Sequence, residues 1–177
     1  MKKLLFLIVL CIAGYWYYTR YYSAFSVPAL NTPYTFSLGE GPAGIRFGMT
    51  AKEVKERFGP PDREEETILS YLSRGIIVVL SKGTITNFYM GAQHPDEEYI
   101  RQAFKGKTKE GIMLGSSEAD IIRIYGQPSK RRIDGPLILL TYTGLEGTDW
   151  VDFGLRPQRL AMIHCVKHPP KASSETN

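Results

Sequence analysis

The chain has 177 residues, of which 43% are hydrophobic and 23% are charged. This composition is typical of a globular protein and too apolar for a disordered one. Two cysteines exclude a scaffold held by several disulfides. The formal charge of +4 is concentrated near the N-terminus: Lys2, Lys3 and Arg20 lie in the first 22 residues, and the remainder has 19 basic against 18 acidic residues. This distribution argues against a nucleic-acid-binding protein.

The first 22 residues have the pattern of an export signal. Two lysines precede an uncharged stretch at 4–14, and six of the eight residues at 15–22 are aromatic, as at a membrane–water interface. We interpret 1–22 as an uncleaved inner-membrane anchor, with the C-terminal domain on the periplasmic or exported side. Two alternatives remain open. Cleavage near Ser23 would release a periplasmic or secreted protein, and Cys11 is a lipidation candidate with an unfavourable residue, Leu10, before it.

The rest of the chain divides into four segments by composition and pattern. Residues 23–43 contain three prolines and few charges, which predicts an extended spacer. Residues 44–106 and 107–167 are predicted to form two α+β units, the first ending with a linking helix. Residues 168–177 form a polar tail.

A motif recurs at an offset of 67 residues: GIRFGMT at 44–50 corresponds to GIMLGSS at 111–117. Gly59 and Gly126 follow at the same offset and suit the position just after a helix. In each copy a hydroxyl residue is followed three positions later by an acid, the capping-box pattern of a helix N-terminus: Thr50 with Glu53, and Ser117 with Asp120. The pattern predicts a helix of about eight residues in each unit.

Strand-like runs separated by short turns follow each predicted helix. They lie at 68–72, 75–81 and 84–90 in the first unit and at 137–143, 150–155 and 160–166 in the second. A further helix is predicted at 95–104, since proline and acids open it. The predicted fold class is α+β: two tandem units, each a short capped helix on an antiparallel three- to four-stranded meander, behind an N-terminal membrane segment.

These motifs give the chain a resemblance to a known superfamily. It contains the outer-membrane assembly lipoproteins of the SmpA/OmlA type and the tandem-repeat β-lactamase inhibitor proteins. The resemblance covers residues 44–91 and 111–166 and includes Tyr71 and Tyr142 in the strands after each helix. It implies an exported, non-catalytic protein that binds other proteins through its sheet face and hairpin loops.

The chain also departs from both branches of that superfamily. Assembly lipoproteins have one such unit and a good lipidation signal, whereas this chain has two units and Leu10 before Cys11. The inhibitors have a disulfide in each unit, whereas Cys165 is the only cysteine after the N-terminal segment.

No motif predicts catalysis, a cofactor or a metal. The glycine pattern at 39–44 contains Pro42 and precedes no helix, so it does not predict a phosphate site. His164, Cys165 and His168 are metal-ligand types, but strand alternation puts Cys165 on the side opposite the histidines. An enzyme that uses carboxylates is the least favoured class.

Two groups of residues are candidates for protein binding. Corresponding predicted loops after the two helices carry opposite charges, which would orient a partner: Glu64, Glu65 and Glu66 in the first, and Lys130, Arg131 and Arg132 in the second. The aromatic residues Tyr71, Tyr142 and Trp150 are the second group, because tyrosine and tryptophan dominate interface hot spots.

The sequence therefore predicts a membrane-anchored, non-enzymatic module of the bacterial cell envelope. Its partner would be another envelope or exported protein, which it scaffolds or regulates, and its N-terminal segment would contact the membrane. The alternative is a secreted or tethered inhibitor of a hydrolase. A nucleic-acid partner is not expected.

Overall fold

The structure is a computed structural model that describes residues 35–91 and 104–168. Its helices, α1 (Ala51–Phe58) and α2 (Glu118–Tyr125), are each eight residues long. Gly59 and Gly126 end them with φ of 83° and 80°, a region that residues with a Cβ rarely adopt. Each helix begins at its predicted capping box, with both reciprocal hydrogen bonds formed. Local signals therefore fix both ends of both helices.

The described residues contain ten strands. They are β1 (Thr35–Phe36), β2 (Arg63–Glu64), β3 (Ile68–Tyr71), β4 (Ile76–Ser81), β5 (Thr84–Gly91), β6 (Lys107–Thr108), β7 (Lys130–Asp134), β8 (Leu137–Thr143), β9 (Trp150–Leu155) and β10 (Leu160–Val166). Eight of them form one antiparallel sheet in the order β2-β3-β4-β5-β10-β9-β8-β7, and β1 pairs with β6 in parallel. The predicted α+β class is confirmed.

The eight-stranded sheet has two halves that meet where β5 pairs with β10. We call α1 with β2–β5 the first half and α2 with β7–β10 the second half. Lys130, Arg131 and Arg132, predicted as a loop, lie in the edge strand β7. Of the acidic residues predicted as a loop, Glu64 lies in the edge strand β2, whereas Glu65 and Glu66 lie between β2 and β3 as predicted. The physical reason for this correction is that an edge strand is exposed and tolerates charge, which also discourages edge-to-edge aggregation.

Both helices pack on the same face of the sheet. In the first half, the Phe58 ring of α1 lies 4.8 Å from that of Tyr71, and in the second half the Tyr125 ring of α2 lies 5.4 Å from that of Phe153. Strand alternation supplies this core from every central strand. Its fully buried members include Val54, Leu69, Ile76, Phe88, Ile121, Leu140, Phe153 and Ile163.

Residues 35–43, predicted as part of the spacer, are packed into this fold. Phe36 and Leu38 belong to the core and are 3% and 0% exposed. The Glu146 carboxylate accepts hydrogen bonds from the Ser37 hydroxyl at 2.5 Å and from the Leu38 amide at 2.8 Å. Burial of the apolar side chains at 36 and 38 therefore outweighs the extended spacer conformation that the prolines predict.

Four predicted segments lie wholly or mostly outside the described residues. They are the membrane segment 1–22, the spacer up to residue 34, the helix at 95–104 apart from Phe104, and the tail after His168. Within residues 35–91 and 104–168, neither helix has the length and apolar character needed to cross a membrane.

Candidate binding site

The face of the sheet opposite the helices, which we call the open face, carries a row of side chains that crosses all eight strands. Neighbours in the row are directly opposed, so they share this face. The row runs Arg63, Ser70, Ile77, Tyr89, His164, Asp152, Thr141, Lys130. Asp152 and His164 give its second half a carboxylate and an imidazole next to each other.

A groove of about 640 Å³ lies on the open face of the second half. Its apolar wall includes Leu139, Trp150 and Met162, and its polar residues include Arg132 and Asp152. Trp150 and Asp152 reach the groove because their strand neighbour Val151 points to the opposite face, into the core. The volume falls within the range of small-molecule sites, roughly 300–1,000 Å³.

Asp152 lies at the floor of this groove, with its side chain only 6% exposed. The Thr141 hydroxyl donates a hydrogen bond to Asp152 Oδ1 at 2.5 Å. Asp152 Oδ2 faces two cationic or potentially cationic groups, Arg132 Nη2 at 3.7 Å and His164 Nδ1 at 3.8 Å. The groove therefore places a buried carboxylate beside a partly exposed guanidinium cation.

These neighbours keep Asp152 ionised. Burial alone would raise the pKa of Asp152, but the facing His164, the Thr141 hydroxyl and the Arg132 guanidinium outweigh it, and the pKa is lowered from its ordinary value. Burial also raises the pKa of Tyr89, and the negative charge of Asp152 adds to this effect. At neutral pH the groove thus contains a carboxylate and a neutral phenol.

The His164 ring is held in place from two sides. It stacks on the Tyr89 ring with centroids 3.9 Å apart and planes 8° apart. Its Nε2 atom lies 3.2 Å from Asn87 Nδ2, within hydrogen-bond distance. Nδ1 is turned toward Asp152 of β9, so the imidazole lies between its partners on β5 and β9.

The structure separates the three predicted basic residues. Arg132 lines the groove, and Lys130 stands at the end of the open-face row. Arg131 lies on the opposite face, where its Nε donates to Glu118 Oε1 of α2 at 2.9 Å. Strand alternation explains this division, because successive residues of β7 point to opposite faces of the sheet.

The three predicted acidic residues lie at the other edge of the sheet. Glu64 pairs with Lys55 of α1 at 2.8 Å, Glu65 pairs with Arg63 at 2.6 Å, and Glu66 is exposed. The acidic and basic groups are therefore at opposite ends of eight strands, and the fold does not bring them together.

Of the three predicted aromatic residues, only Trp150 lines the groove. Tyr71 and Tyr142 are 1% and 4% exposed in the core. The Tyr71 hydroxyl donates to the Gly59 carbonyl at 3.0 Å, and the Tyr142 hydroxyl donates to the Gly126 carbonyl at 2.9 Å. Both tyrosines thus fasten the end of a helix to the sheet, and this burial removes them from any surface that a partner reaches.

Sequence reasoning missed Asp152, Tyr89 and the role of His164. A usable signal existed for Asp152, since it is an acid inside the otherwise apolar run WVDFGL at 150–155. His164 was considered only together with Cys165 and His168. Cys165 is buried in the core, and His168 lies 2.8 Å from Asp149, so the structure does not assemble the three as ligands.

Comparison with known proteins identifies no family for this chain. No protein-family model matches it, and no curated protein matches it. A DUF4309 family protein from Bacillus subtilis is similar in structure, with 13% identity, a TM-score of 0.47, and coverage of 67% of this chain and 78% of that protein. An extracellular protein containing an SCP domain from Bacillus anthracis has 10% identity and a TM-score of 0.43, covering 68% of this chain and 43% of that protein. Similarity at this level defines neither family nor function.

Proposed function

We propose that this chain is a binding module and that the groove on the open face is its binding site. The observation that carries the proposal is the combination of Trp150 and Arg132 in one concave site. Tryptophan and arginine are among the residue types that contribute most binding energy at interfaces. The surrounding apolar side chains and the few fixed polar groups match the general design of ligand sites.

The proposal places the module in the bacterial cell envelope, where it would hold or regulate another component. This part rests on the N-terminal sequence 1–22, whose charge and aromatic pattern favour export with membrane attachment. The expected partner is another envelope protein, and no chemical step is required of the groove. The sequence resemblance to assembly lipoproteins and tandem-repeat inhibitors also supports a binding role.

Site-specific photo-cross-linking of the full chain in its own cells tests this proposal. A photoreactive amino acid at Asp134, on the exposed rim of the groove, is compared with one at Glu56, exposed on α1. We expect the same partner to be attached reproducibly from position 134, and to be lost when Trp150→Ala is added. Far-UV circular dichroism and the unfolding midpoint verify that Trp150→Ala folds.

The outcomes of this experiment separate the alternatives. Capture from position 56 as efficiently as from 134, or capture that Trp150→Ala leaves unchanged, would overturn the groove as the binding site. Capture of a single hydrolase by a chain that has lost its N-terminal segment would favour the inhibitor alternative over the scaffold.

A further inference from the structure

Asp152 Oδ2 is a buried carboxylate oxygen at the floor of the groove. Oδ1 of the same carboxylate accepts a hydrogen bond from Thr141. Oδ2 has Arg132 and His164 at 3.7 and 3.8 Å, which is longer than a hydrogen bond. Among the described residues, none donates a hydrogen bond to Oδ2. Because buried polar atoms are nearly always hydrogen-bonded, this oxygen is placed to accept a hydrogen bond from a ligand.

The charges around this oxygen limit the chemistry of the ligand. A carboxylate or phosphate would be attracted to Arg132 and repelled by Asp152. An ammonium group would be attracted to Asp152 and repelled by Arg132. A neutral group that both donates and accepts is favoured by both side chains. The floor is therefore matched to a polar, uncharged group.

Adjacent hydroxyl groups meet this requirement. The donor Arg132 Nη2 and the acceptor Asp152 Oδ2 lie 3.7 Å apart on one side of the groove. A hydroxyl is both donor and acceptor, and two adjacent hydroxyls span such a pair. Sugars carry adjacent hydroxyls on a ring whose C–H face packs against aromatic and aliphatic side chains, as Trp150, Leu139 and Met162 offer here.

We propose that the groove binds a neutral saccharide. Adjacent hydroxyls of one sugar donate to Asp152 Oδ2 and accept from Arg132, and the face of the ring packs on Trp150. The inference rests on the proposed function, since it names what the proposed binding site recognises. The saccharide belongs either to a free envelope polysaccharide or to a glycan attached to a protein.

Fluorescence titration of the full chain tests the proposal. The variant Trp16→Phe leaves Trp150 as the single tryptophan, and the protein is kept in a detergent without a sugar head group. The probes are the hexamers of N-acetylglucosamine, glucose in β-1,4 linkage and glucose in α-1,4 linkage, with tetra-alanine and a polygalacturonate oligomer as the peptide and anionic comparisons. We expect a saturable change with at least one neutral hexamer, and at least tenfold weaker binding of the comparisons.

Matched variants assign the binding to the named residues. Asp152→Asn and Arg132→Gln are each expected to weaken binding at least tenfold. Arg63→Gln, at the opposite edge of the same open-face row, is expected to leave binding unchanged. Unfolding midpoints identify any variant whose loss reflects misfolding, and Glu56→Gln, exposed on α1, supplies a second unaffected control away from the groove.

The saccharide proposal is overturned if no neutral saccharide gives a saturable signal up to about 10 mM, which corresponds to an affinity of about −2.7 kcal/mol. Tighter binding of the anionic oligomer than of the neutral saccharides would also overturn it. So would an unchanged affinity in Asp152→Asn. A Trp150-dependent protein cross-link without saccharide binding would leave the proposed function standing and remove this inference. Mass spectrometry of the position 134 adduct distinguishes a free polysaccharide from a protein-linked glycan.

Discussion

The two halves of the molecule are built alike on the helix face and differently on the open face. On the helix face, Tyr71 and Tyr142 each donate a hydrogen bond to the glycine carbonyl at the end of their helix. On the open face, the first half has Ile77 where the second half has Asp152. The helix face is constrained by a shared core, whereas the open face is free to vary. The two halves therefore differ on the surface where we propose the binding site.

The largest expected effect concerns the shared core. Leu69 and Leu140 occupy matching positions in β3 and β8 and are 1% and 0% exposed. Leu69→Ala and Leu140→Ala are each expected to lower the free energy of unfolding by about 2–5 kcal/mol, because each leaves a cavity. Urea unfolding of the full chain, followed by far-UV circular dichroism, measures both. Since one core cluster spans both halves, each variant should unfold in one transition, and a second transition confined to one variant would show that the halves are energetically separate.

The next prediction concerns the open face, where the halves differ. At neutral pH, Asp152→Asn is expected to lower the free energy of unfolding by about 1–3 kcal/mol, since it weakens contacts made to a buried charge. The folded-state pKa of Asp152 is lowered, so the wild type has this stabilisation above the unfolded-state pKa of about 4 and loses it as pH falls through the folded-state value. The difference between wild type and variant should therefore shrink below about pH 4.

Urea unfolding at several pH values measures this difference. Asp134→Asn is the matched control because Asp134 is exposed, and we expect a change within about 0.5 kcal/mol at every pH. A constant difference between wild type and Asp152→Asn down to the acid transition would contradict the charge balance assigned to the groove.

A smaller and equal effect is expected from the two tyrosine hydroxyls. Tyr71→Phe and Tyr142→Phe each remove one hydrogen bond to a helix-end carbonyl, at a cost of about 1 kcal/mol in the free energy of unfolding. Neither should change binding at the groove, because both lie on the helix face. A loss of binding in Tyr142→Phe without a loss of stability would show that the two faces are not independent.

The smallest effect concerns the ion pairs that join each helix to its edge strand. Lys55 pairs with Glu64 at 2.8 Å in the first half, and Glu118 pairs with Arg131 at 2.9 Å with the signs reversed. Double-mutant cycles to alanine should give coupling energies of about 0.2–1 kcal/mol for each pair. At 1 M salt, where the Debye length is about 3 Å, both couplings should decrease. Coupling that survives high salt in one half alone would break the equivalence of the two edges.

The sequence predicted the local structure of this protein well. Both helices and their capping boxes were identified, because capping depends on residues three positions apart. The second-half strands 137–143, 150–155 and 160–166 were predicted with the bounds that β8, β9 and β10 have. The edge strands β2 and β7 were not predicted, because all of their residues are exposed and their sequences show no alternation of apolar and polar residues.

The candidate site was predicted only in part. Trp150 and Arg132 were selected by residue type, and both line the groove. Tyr71 and Tyr142 were selected by the same reasoning and are in the core, because residue type does not tell which face of a strand is covered. Asp152 and Tyr89 were not selected as site residues, since neither belongs to a local motif.

The sequence by itself determined the elements and their ends, since caps, glycines and strand alternation act within a few residues. The tertiary structure alone decided that β5 pairs with β10, which brings Tyr89 and His164 together from positions 75 residues apart in the chain. It also decided which sheet face the helices cover, and so left Asp152, Arg132 and Trp150 on the open one. Pairing between distant strands depends on burying one common core, and no short segment of the sequence contains that information.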